Sequence, residues 1–93
     1  MNILYTKDGH PLQQEGDNIF SQSGQHVAQV RDGYAYGPSG SYLGSVVDDR
    51  LVYRATDSVR FAAPFVQMPH VGLAVAPAVP AAMWGDEPSI GSL

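Results

Sequence analysis

The sequence contains no cysteine in its 93 residues, which excludes disulfide bonds, thiolate metal ligands and cysteine nucleophiles. Basic residues are also scarce, with five lysines and arginines against nine aspartates and glutamates and a formal net charge of −4. Because phosphate binding requires a basic surface, no nucleic-acid partner is expected. The opening residues, MNILYTKD, show neither the basic nor the long apolar segment of a signal peptide, so a cytoplasmic chain is expected.

Long apolar runs are missing as well. Residues 71–84 carry no charge, but this stretch is shorter than the roughly 20 residues that a membrane-spanning helix needs. Pro77 and Pro80 would also interrupt such a helix. No membrane span is therefore expected.

What the sequence does contain indicates one folded domain. Its hydrophobic content is 44% and its charged content is 15%, which is typical of a packed chain rather than a disordered one. The composition changes near residue 66. Residues 1–66 hold every lysine and arginine, whereas residues 67–93 hold four of the seven prolines. We therefore divide the chain into a four-hairpin body, residues 1–66, and an apolar Pro/Ala-rich tail, residues 67–93, which is too short for a second domain.

The body contains a fourfold repeat. In each copy an aromatic residue is followed, after two positions, by a small polar residue and then by glycine or aspartate. The aromatic residues are Tyr5, Phe20, Tyr36 and Tyr53. They are spaced by 15, 16 and 17 residues, and an aliphatic residue precedes each of them. These aliphatic residues are Leu4, Ile19, Ala35 and Val52.

Each copy of the repeat predicts a β-hairpin. Small-residue pairs that accept positive φ in tight turns occur within the copies and again between them. The pairs are Asp8-Gly9, Ser23-Gly24 and Ser39-Gly40 within copies, and Gly16-Asp17, Asp32-Gly33 and Asp48-Asp49 between copies. The segments between turns are rich in residues that suit strands. We expect eight short strands near residues 2–6, 10–14, 18–22, 25–31, 34–37, 41–47, 51–55 and 59–65. The predicted fold class is all-β, with the hairpins closed around an axis into a barrel.

Alternation along a strand places the aliphatic and the aromatic residues on opposite faces. The four aliphatic residues would converge if the hairpins surround an axis. They would then either form a closed core or line an apolar channel that holds a hydrophobic chain, such as an acyl chain. The four aromatic residues would either pack hairpin against hairpin or form an aromatic collar around a ligand.

This pattern resembles the 4-fold β-flower family of small bacterial proteins. The resemblance covers residues 3–65 and rests on four hairpins of about 16 residues, each marked by the aromatic and turn motif described above. It implies a shallow, pseudo-fourfold barrel with an apolar centre, and it carries no assigned activity and no catalytic residues. Asp57 and Arg60 depart from the pattern, because other copies have glycine and an aliphatic residue at these positions. The last hairpin is therefore expected to be distorted.

Neither an enzyme nor a metal or cofactor site is expected. His10, His26 and His70 lack the short, rigid spacing of zinc ligands. Most aspartates lie in predicted turns, where their side chains bond to nearby backbone. No serine lies in a Gly-x-Ser-x-Gly nucleophile elbow, and no helix follows a glycine-rich loop to bind phosphate.

The tail allows two interpretations. Pro80 would open a short helix that runs through Trp84 and stops at Gly85. In the first interpretation the tail packs on the barrel as a lid and buries Leu73, Val75, Met83 and Trp84. In the second the tail stays exposed and binds a protein partner or the surface of a membrane, with Trp84 at the interface. Residues 77–80 also spell a PxxP ligand.

Two functions are compatible with these patterns. In the first the chain is a small non-enzymatic binding module that holds an apolar small molecule or acyl chain in its central channel, lined near Leu4, Ile19, Ala35 and Val52. In the alternative it is a protein–protein adaptor with a sealed core that acts through its rim or its tail. Large inward residues would close the channel and favour the adaptor. A monomer or a small homo-oligomer fits either function.

Overall fold

Tight turns divide residues 2–52 into seven short strands in the computed structural model, which describes residues 2–90. The strands are β1 (Asn2–Thr6), β2 (Pro11–Glu15), β3 (Asn18–Phe20), β4 (His26–Arg31), β5 (Tyr34–Tyr36), β6 (Tyr42–Val47) and β7 (Arg50–Val52). Consecutive strands pair antiparallel, and β1 pairs in parallel with β7 to close a barrel. The predicted all-β barrel is confirmed. The single helical element in the described range is a 3-10 turn at Ala55–Asp57, and no helix there is long and apolar enough to cross a membrane.

The two ends of the barrel carry different connections. At one end, the turn rim, two-residue turns at 16–17, 32–33 and 48–49 join consecutive strands, as the sequence predicts. At the other end, the glycine-loop rim, the loops are residues 6–10, 21–25 and 37–41. In each of these loops the amide of the first residue donates a hydrogen bond of 2.8–2.9 Å to the carbonyl of the last. Each loop also contains a glycine with φ between 90° and 95°.

The eighth strand expected at residues 59–65 is not formed, and the described chain contributes only a single bridge residue there, Phe61. Asp57 stabilises a tight turn instead: its carboxylate accepts a 2.9 Å hydrogen bond from Ser45 Oγ and lies 3.9 Å from Arg60 Nε. Because Arg60 replaces an aliphatic residue, this segment has no apolar side chain to bury at that position. The barrel closes through two residue pairs between β1 and β7.

The core lies inside the barrel and consists of aliphatic side chains from six strands. Its buried members are Leu4, Leu12, Ile19, Val27, Ala28, Ala35 and Leu51. Four partly buried side chains pack around them: Val30, Leu43, Val46 and Ile90. Large side chains therefore occupy most of the inward positions.

One of the four aliphatic residues expected at the centre lies elsewhere. On β7 the inward residue is Leu51, which pairs with Val46 of the core. Val52 points to the opposite face, where it is fully buried against Gly85. The inward residues Ile19, Ala35 and Leu51 are spaced by 16 residues, whereas the aromatic residues Tyr36 and Tyr53 are spaced by 17. The fourth copy therefore contains one extra residue before its aromatic residue.

The strap, residues 61–90, follows the glycine-loop rim around the barrel. Apart from two isolated bridges it has no regular secondary structure in the described chain. Its hydrogen bonds reach loop 37–41 first, then loop 21–25, then loop 6–10, and finally Tyr53. The strap thus passes the loops in the reverse of their order in the sequence. The helix expected at residues 80–84 is absent from it.

Candidate interaction surfaces at the glycine-loop rim

The carbonyl groups of the strap contact the loop glycines at steps of eight residues. The contacts pair Ala62 with Gly40, His70 with Gly24, and Ala78 with Gly9. In each pair the carbonyl oxygen lies so close to the glycine that a Cβ atom there would overlap it. Each of these positions therefore requires glycine for two reasons: its φ is positive, and the strap approaches it too closely for a side chain.

The amides of the strap donate hydrogen bonds to loop carbonyls in the same register. The donors and acceptors are Ala62 to Gly40 (2.8 Å), Phe65 to Pro38 (3.1 Å), Leu73 to Gln22 (2.8 Å), Ala78 to Gly9 (2.9 Å) and Ala81 to Lys7 (2.8 Å). The series 65, 73 and 81 advances by eight residues at each loop. One strap step of eight residues therefore matches one step between neighbouring loops on the rim.

Side chains of the barrel also bind the main chain of the strap. Gln13 Nε2 donates a 2.8 Å hydrogen bond to the carbonyl of Val71, and Arg50 Nη1 donates one of the same length to the carbonyl of Val79. These two acceptors are again eight residues apart. Much of the contact therefore depends on the backbone of the strap and not on its side chains.

The clasp, Asp86 and Glu87, fastens the far end of the strap. The amides and carbonyls of Asp86 and Tyr53 exchange two hydrogen bonds of 2.7 and 2.8 Å. The Glu87 carboxylate accepts hydrogen bonds from Thr6 Oγ1 (2.7 Å) and from the Asp8 amide (2.9 Å). These bonds join the end of the strap to Tyr53, which follows β7, and to loop 6–10, which follows β1.

An aromatic stack lies between the barrel and the strap. Its ring-centroid distances are 4.3 Å for His70–Phe20, 4.7 Å for Phe20–His26 and 4.6 Å for His26–Phe65. His70 and Phe65 belong to the strap, whereas Phe20 and His26 belong to β3 and β4. The stack therefore adds side-chain packing to the main-chain contacts.

The two histidines of the stack have opposite pKa shifts. His70 Nε2 lies 2.6 Å from Glu15 Oε2 and its Nδ1 lies 3.0 Å from the carbonyl of Val71. The hydrogen bond to Glu15, followed by the bond to Val71, raises the pKa of His70. His26 is 1% exposed, and burial lowers its pKa. Its Nδ1 accepts a bond from the Met68 amide, so the neutral ring carries its proton on Nε2.

The outer face of the strap is apolar and exposed to solvent. Together with Val59, which lies two positions before the strap, it presents seven large side chains that are between 44% and 90% exposed. They are Val59, Phe61, Val66, Met68, Val71, Val79 and Trp84. Residues 61–85 contain no Lys, Arg, Asp or Glu. Of the four tail residues expected to be buried as a lid, three are half-buried and Trp84 is exposed, with Arg54 stacked 4.1 Å from its ring centroid.

A cavity of about 340 Å³ lies between loops 21–25 and 37–41 and the end of the strap. Three apolar residues that pack with the core contribute to its wall: Val27, Leu43 and Ile90. Its polar wall residues include Gln25, Ser41 and Gln67. The cavity thus combines an apolar surface with several hydrogen-bonding groups.

The sequence-predicted site residues do not form one site in the structure. Leu4, Ile19 and Ala35 come together in the core at 0–1% exposure and do not line the cavity. The aromatic residues Tyr5, Phe20, Tyr36 and Tyr53 are separated around the barrel. Tyr5 lies under Arg50, Phe20 lies in the histidine stack, and Tyr53 packs on Tyr42 at 5.4 Å. Each of these three rings therefore contacts a different neighbour.

Residues with metal-binding chemistry are dispersed. His10 lies 3.6 Å from Glu87 on the glycine-loop rim, whereas His26 and His70 both stack on Phe20. Across residues 2–90, no three His, Asp or Glu side chains are grouped in a way suited to a metal ion.

Sequence reasoning missed the eight-residue register of the strap. A signal for it is present: Pro64, Gly72, Pro80 and Pro88 recur at steps of eight residues. Residues with special backbone properties at a fixed interval indicate a repeating backbone path. The signal is weak because the other strap positions carry unrelated apolar residues.

Comparisons with known proteins assign no family to this chain: no family model, curated protein or solved structure matches it. The strap, its outer face and the cavity are therefore the basis on which a function can be proposed.

Proposed function

We propose that this chain is a non-catalytic interaction module with a sealed core, and that it binds a protein partner through the outer face of the strap. The exposure of that face carries the proposal, because seven large apolar side chains are at least 44% exposed along one segment of a small chain. Single exposed apolar residues are ordinary, but a concentration of them marks an interaction surface.

The chemistry of the strap defines the partner. Residues 61–85 carry no Lys, Arg, Asp or Glu, so a charged partner surface would lose its hydration there without gaining an ion pair. An apolar partner surface would gain free energy from every apolar side chain buried. The partner is therefore a protein with an apolar, uncharged patch.

The packing inside the barrel supports a sealed core rather than an apolar central channel. Leu4, Leu12, Ile19 and Leu51 are 0–1% exposed and belong to one contact cluster. An eight-stranded barrel is at the size where side chains just fill the interior, and this barrel has seven strands. The interior therefore favours binding through the outside of the molecule.

Site-specific photo-crosslinking tests this proposal. A benzophenone amino acid at Val66 or Val79 should give one defined protein adduct, whereas the same group at Asp32 on the turn rim should not. Once the adduct is identified, the purified partner should bind the wild-type chain and lose binding to Val66→Asp. Val66 is 90% exposed, so this change leaves the fold intact. Equal adducts from both rims, or unchanged binding to Val66→Asp, would contradict the proposal.

The cavity supports a second candidate function, the binding of a small amphipathic molecule. Its volume of about 340 Å³ is at the lower end of the range of ligand pockets, which begins near 300 Å³. Native mass spectrometry of protein purified without detergent or polyethylene glycol should then show a bound mass, and Leu43→Phe should remove it by filling the cavity. A clean apo mass would leave the partner surface as the remaining function.

We also propose that the body has a pseudo-fourfold arrangement and belongs to the 4-fold β-flower family. The shared hydrogen-bond pattern of the three glycine loops supports this proposal. The fourth copy supports it too. The residues that follow Tyr53 provide no main-chain partner for it, and Asp86 of the strap takes that place. An experimental structure in which neighbouring loops are related by a quarter turn would test the arrangement.

A further inference from the structure

The rim recognises the strap mainly through its backbone. Carbonyl contacts with three loop glycines, five amide hydrogen bonds and the two bonds from Gln13 and Arg50 all involve main-chain atoms of the strap. Two copies of the chain have identical straps and rims, so the same contacts can form within one copy or between two copies.

The segment that connects the body to the strap is largely exposed and buries no apolar side chain. The 3-10 turn at Ala55–Asp57 contains no buried residue, and Ser58, Val59 and Arg60 are all exposed. Asp57 ties the 3-10 turn to the barrel by accepting a hydrogen bond from Ser45 Oγ. Beyond it, Ser58 Oγ bonds to the Ala55 carbonyl and Arg60 stacks on Tyr34 at the surface. The chain can therefore change direction at residues 58–60 with loss of the Arg60 contacts and without disturbing the core.

We propose that two copies of this chain exchange straps, so that the strap of each copy encircles the glycine-loop rim of the other in the same eight-residue register. Every contact between the strap and the rim is then formed again between the copies. The equilibrium between the closed monomer and the exchanged dimer is set by two concentrations. A high protein concentration favours the dimer, whereas the effective concentration of the tethered strap, on the order of millimolar for a short linker, favours the monomer. This inference does not depend on the proposed function, since it concerns the inner contacts of the strap and not its outer face.

The absence of cysteine allows a clean test by disulfide trapping. Tyr53 and Asp86 are directly paired across the clasp and exchange two hydrogen bonds, a geometry that brings Cα atoms close enough for a disulfide. A chain carrying only Tyr53→Cys is mixed with a chain carrying only Asp86→Cys. The mixture is unfolded, refolded at high concentration, and oxidised mildly after dilution. Strap exchange should give a covalent heterodimer.

The matched control replaces Tyr53→Cys by Asp32→Cys, which lies on the opposite rim. The heterodimer of Tyr53→Cys with Asp86→Cys should exceed this control several-fold, because the exchanged strap aligns the two thiols. Equal yields from the two mixtures would overturn the proposal, since they would show that the disulfides form by random collision.

A second experiment needs no disulfide. Gly24→Val prevents the rim from accepting a strap, because its side chain would overlap the His70 carbonyl, and Ala78→Pro removes a strap amide that bonds to Gly9. After refolding together, the intact strap of the first chain should bind the intact rim of the second. Native mass spectrometry should then show more heterodimer than the statistical proportion. Gly33→Val replaces Gly24→Val as the control, because Gly33 has a similar positive φ and a Cβ atom there would meet no other atom within 4 Å. A purely statistical mixture would refute strap exchange.

Discussion

The eight-residue register makes one glycine substitution far more damaging than another with nearly the same backbone angle. Gly24 has φ of 93° and faces the His70 carbonyl of the strap, whereas Gly33 has φ of 83° and a Cβ atom added to it would meet no other atom within 4 Å. Alanine at either position is therefore strained by its left-handed backbone. Only alanine at position 24 also collides with the strap.

The expected magnitudes follow from these two differences. The left-handed conformation costs an alanine about 1–2 kcal/mol, and this cost applies to both variants. Gly24→Ala also displaces the strap from loop 21–25, which breaks the hydrogen bonds from the Leu73 amide and from Gln13 Nε2, each worth about 1 kcal/mol. Gly24→Ala should therefore lower the free energy of unfolding by about 2 kcal/mol more than Gly33→Ala.

Chemical and thermal unfolding of the two variants measure this difference. For a domain of this size, about 2 kcal/mol corresponds to a difference in Tm of roughly 10 °C. Hydrogen exchange gives a local readout, because the Leu73 amide should lose protection in Gly24→Ala and keep it in Gly33→Ala. Equal losses of stability, with the Leu73 amide still protected in both variants, would refute the proposed register.

Three further predictions concern the stack, the core and the clasp. Because the hydrogen bond with Glu15 raises the folded-state pKa of His70, the contribution of this bond to stability is complete below the unfolded pKa of 6.5 and is lost as the pH rises through the folded value. Unfolding measured across this range should show that dependence in the wild-type chain and not in Glu15→Gln. Leu51→Ala should lower the free energy of unfolding by about 2–5 kcal/mol, because it opens a cavity in the core, whereas the exposed change Val66→Ala should alter it by less than about 0.5 kcal/mol. Glu87→Gln should lower it by about 1–2 kcal/mol through weaker bonds to Thr6 and the Asp8 amide, and an unchanged urea midpoint would show that the clasp does not stabilise the fold.

The barrel and its turns could be predicted from the sequence because each depends on local signals. Gly9 and Gly24 mark positions where the backbone needs positive φ, and Asp32 accepts the same conformation in the turn rim. The aliphatic residues before the aromatic ones mark the inward face, as Leu4 and Ile19 show. Such signals depend on a few neighbouring residues and can be read one hairpin at a time.

The last copy could not be predicted in the same way because its structure depends on distant contacts. Asp57 forms a turn by binding Ser45, which is 12 positions earlier in the chain, and Val52 is turned outward by a single extra residue. The strap was harder still to foresee. Its path depends largely on main-chain bonds to the loops, and only a few of its side chains, such as Phe65, His70 and Glu87, bind the barrel.

Main-chain recognition separates the positions that maintain the architecture from the exposed positions of the strap. The demanding positions are the loop glycines, where any side chain collides with the strap. The outward positions of the strap, such as Val66 and Val79, can vary with little cost to folding. The outer face of the strap, for which we propose partner binding, can therefore change in sequence while the barrel that displays it remains unchanged.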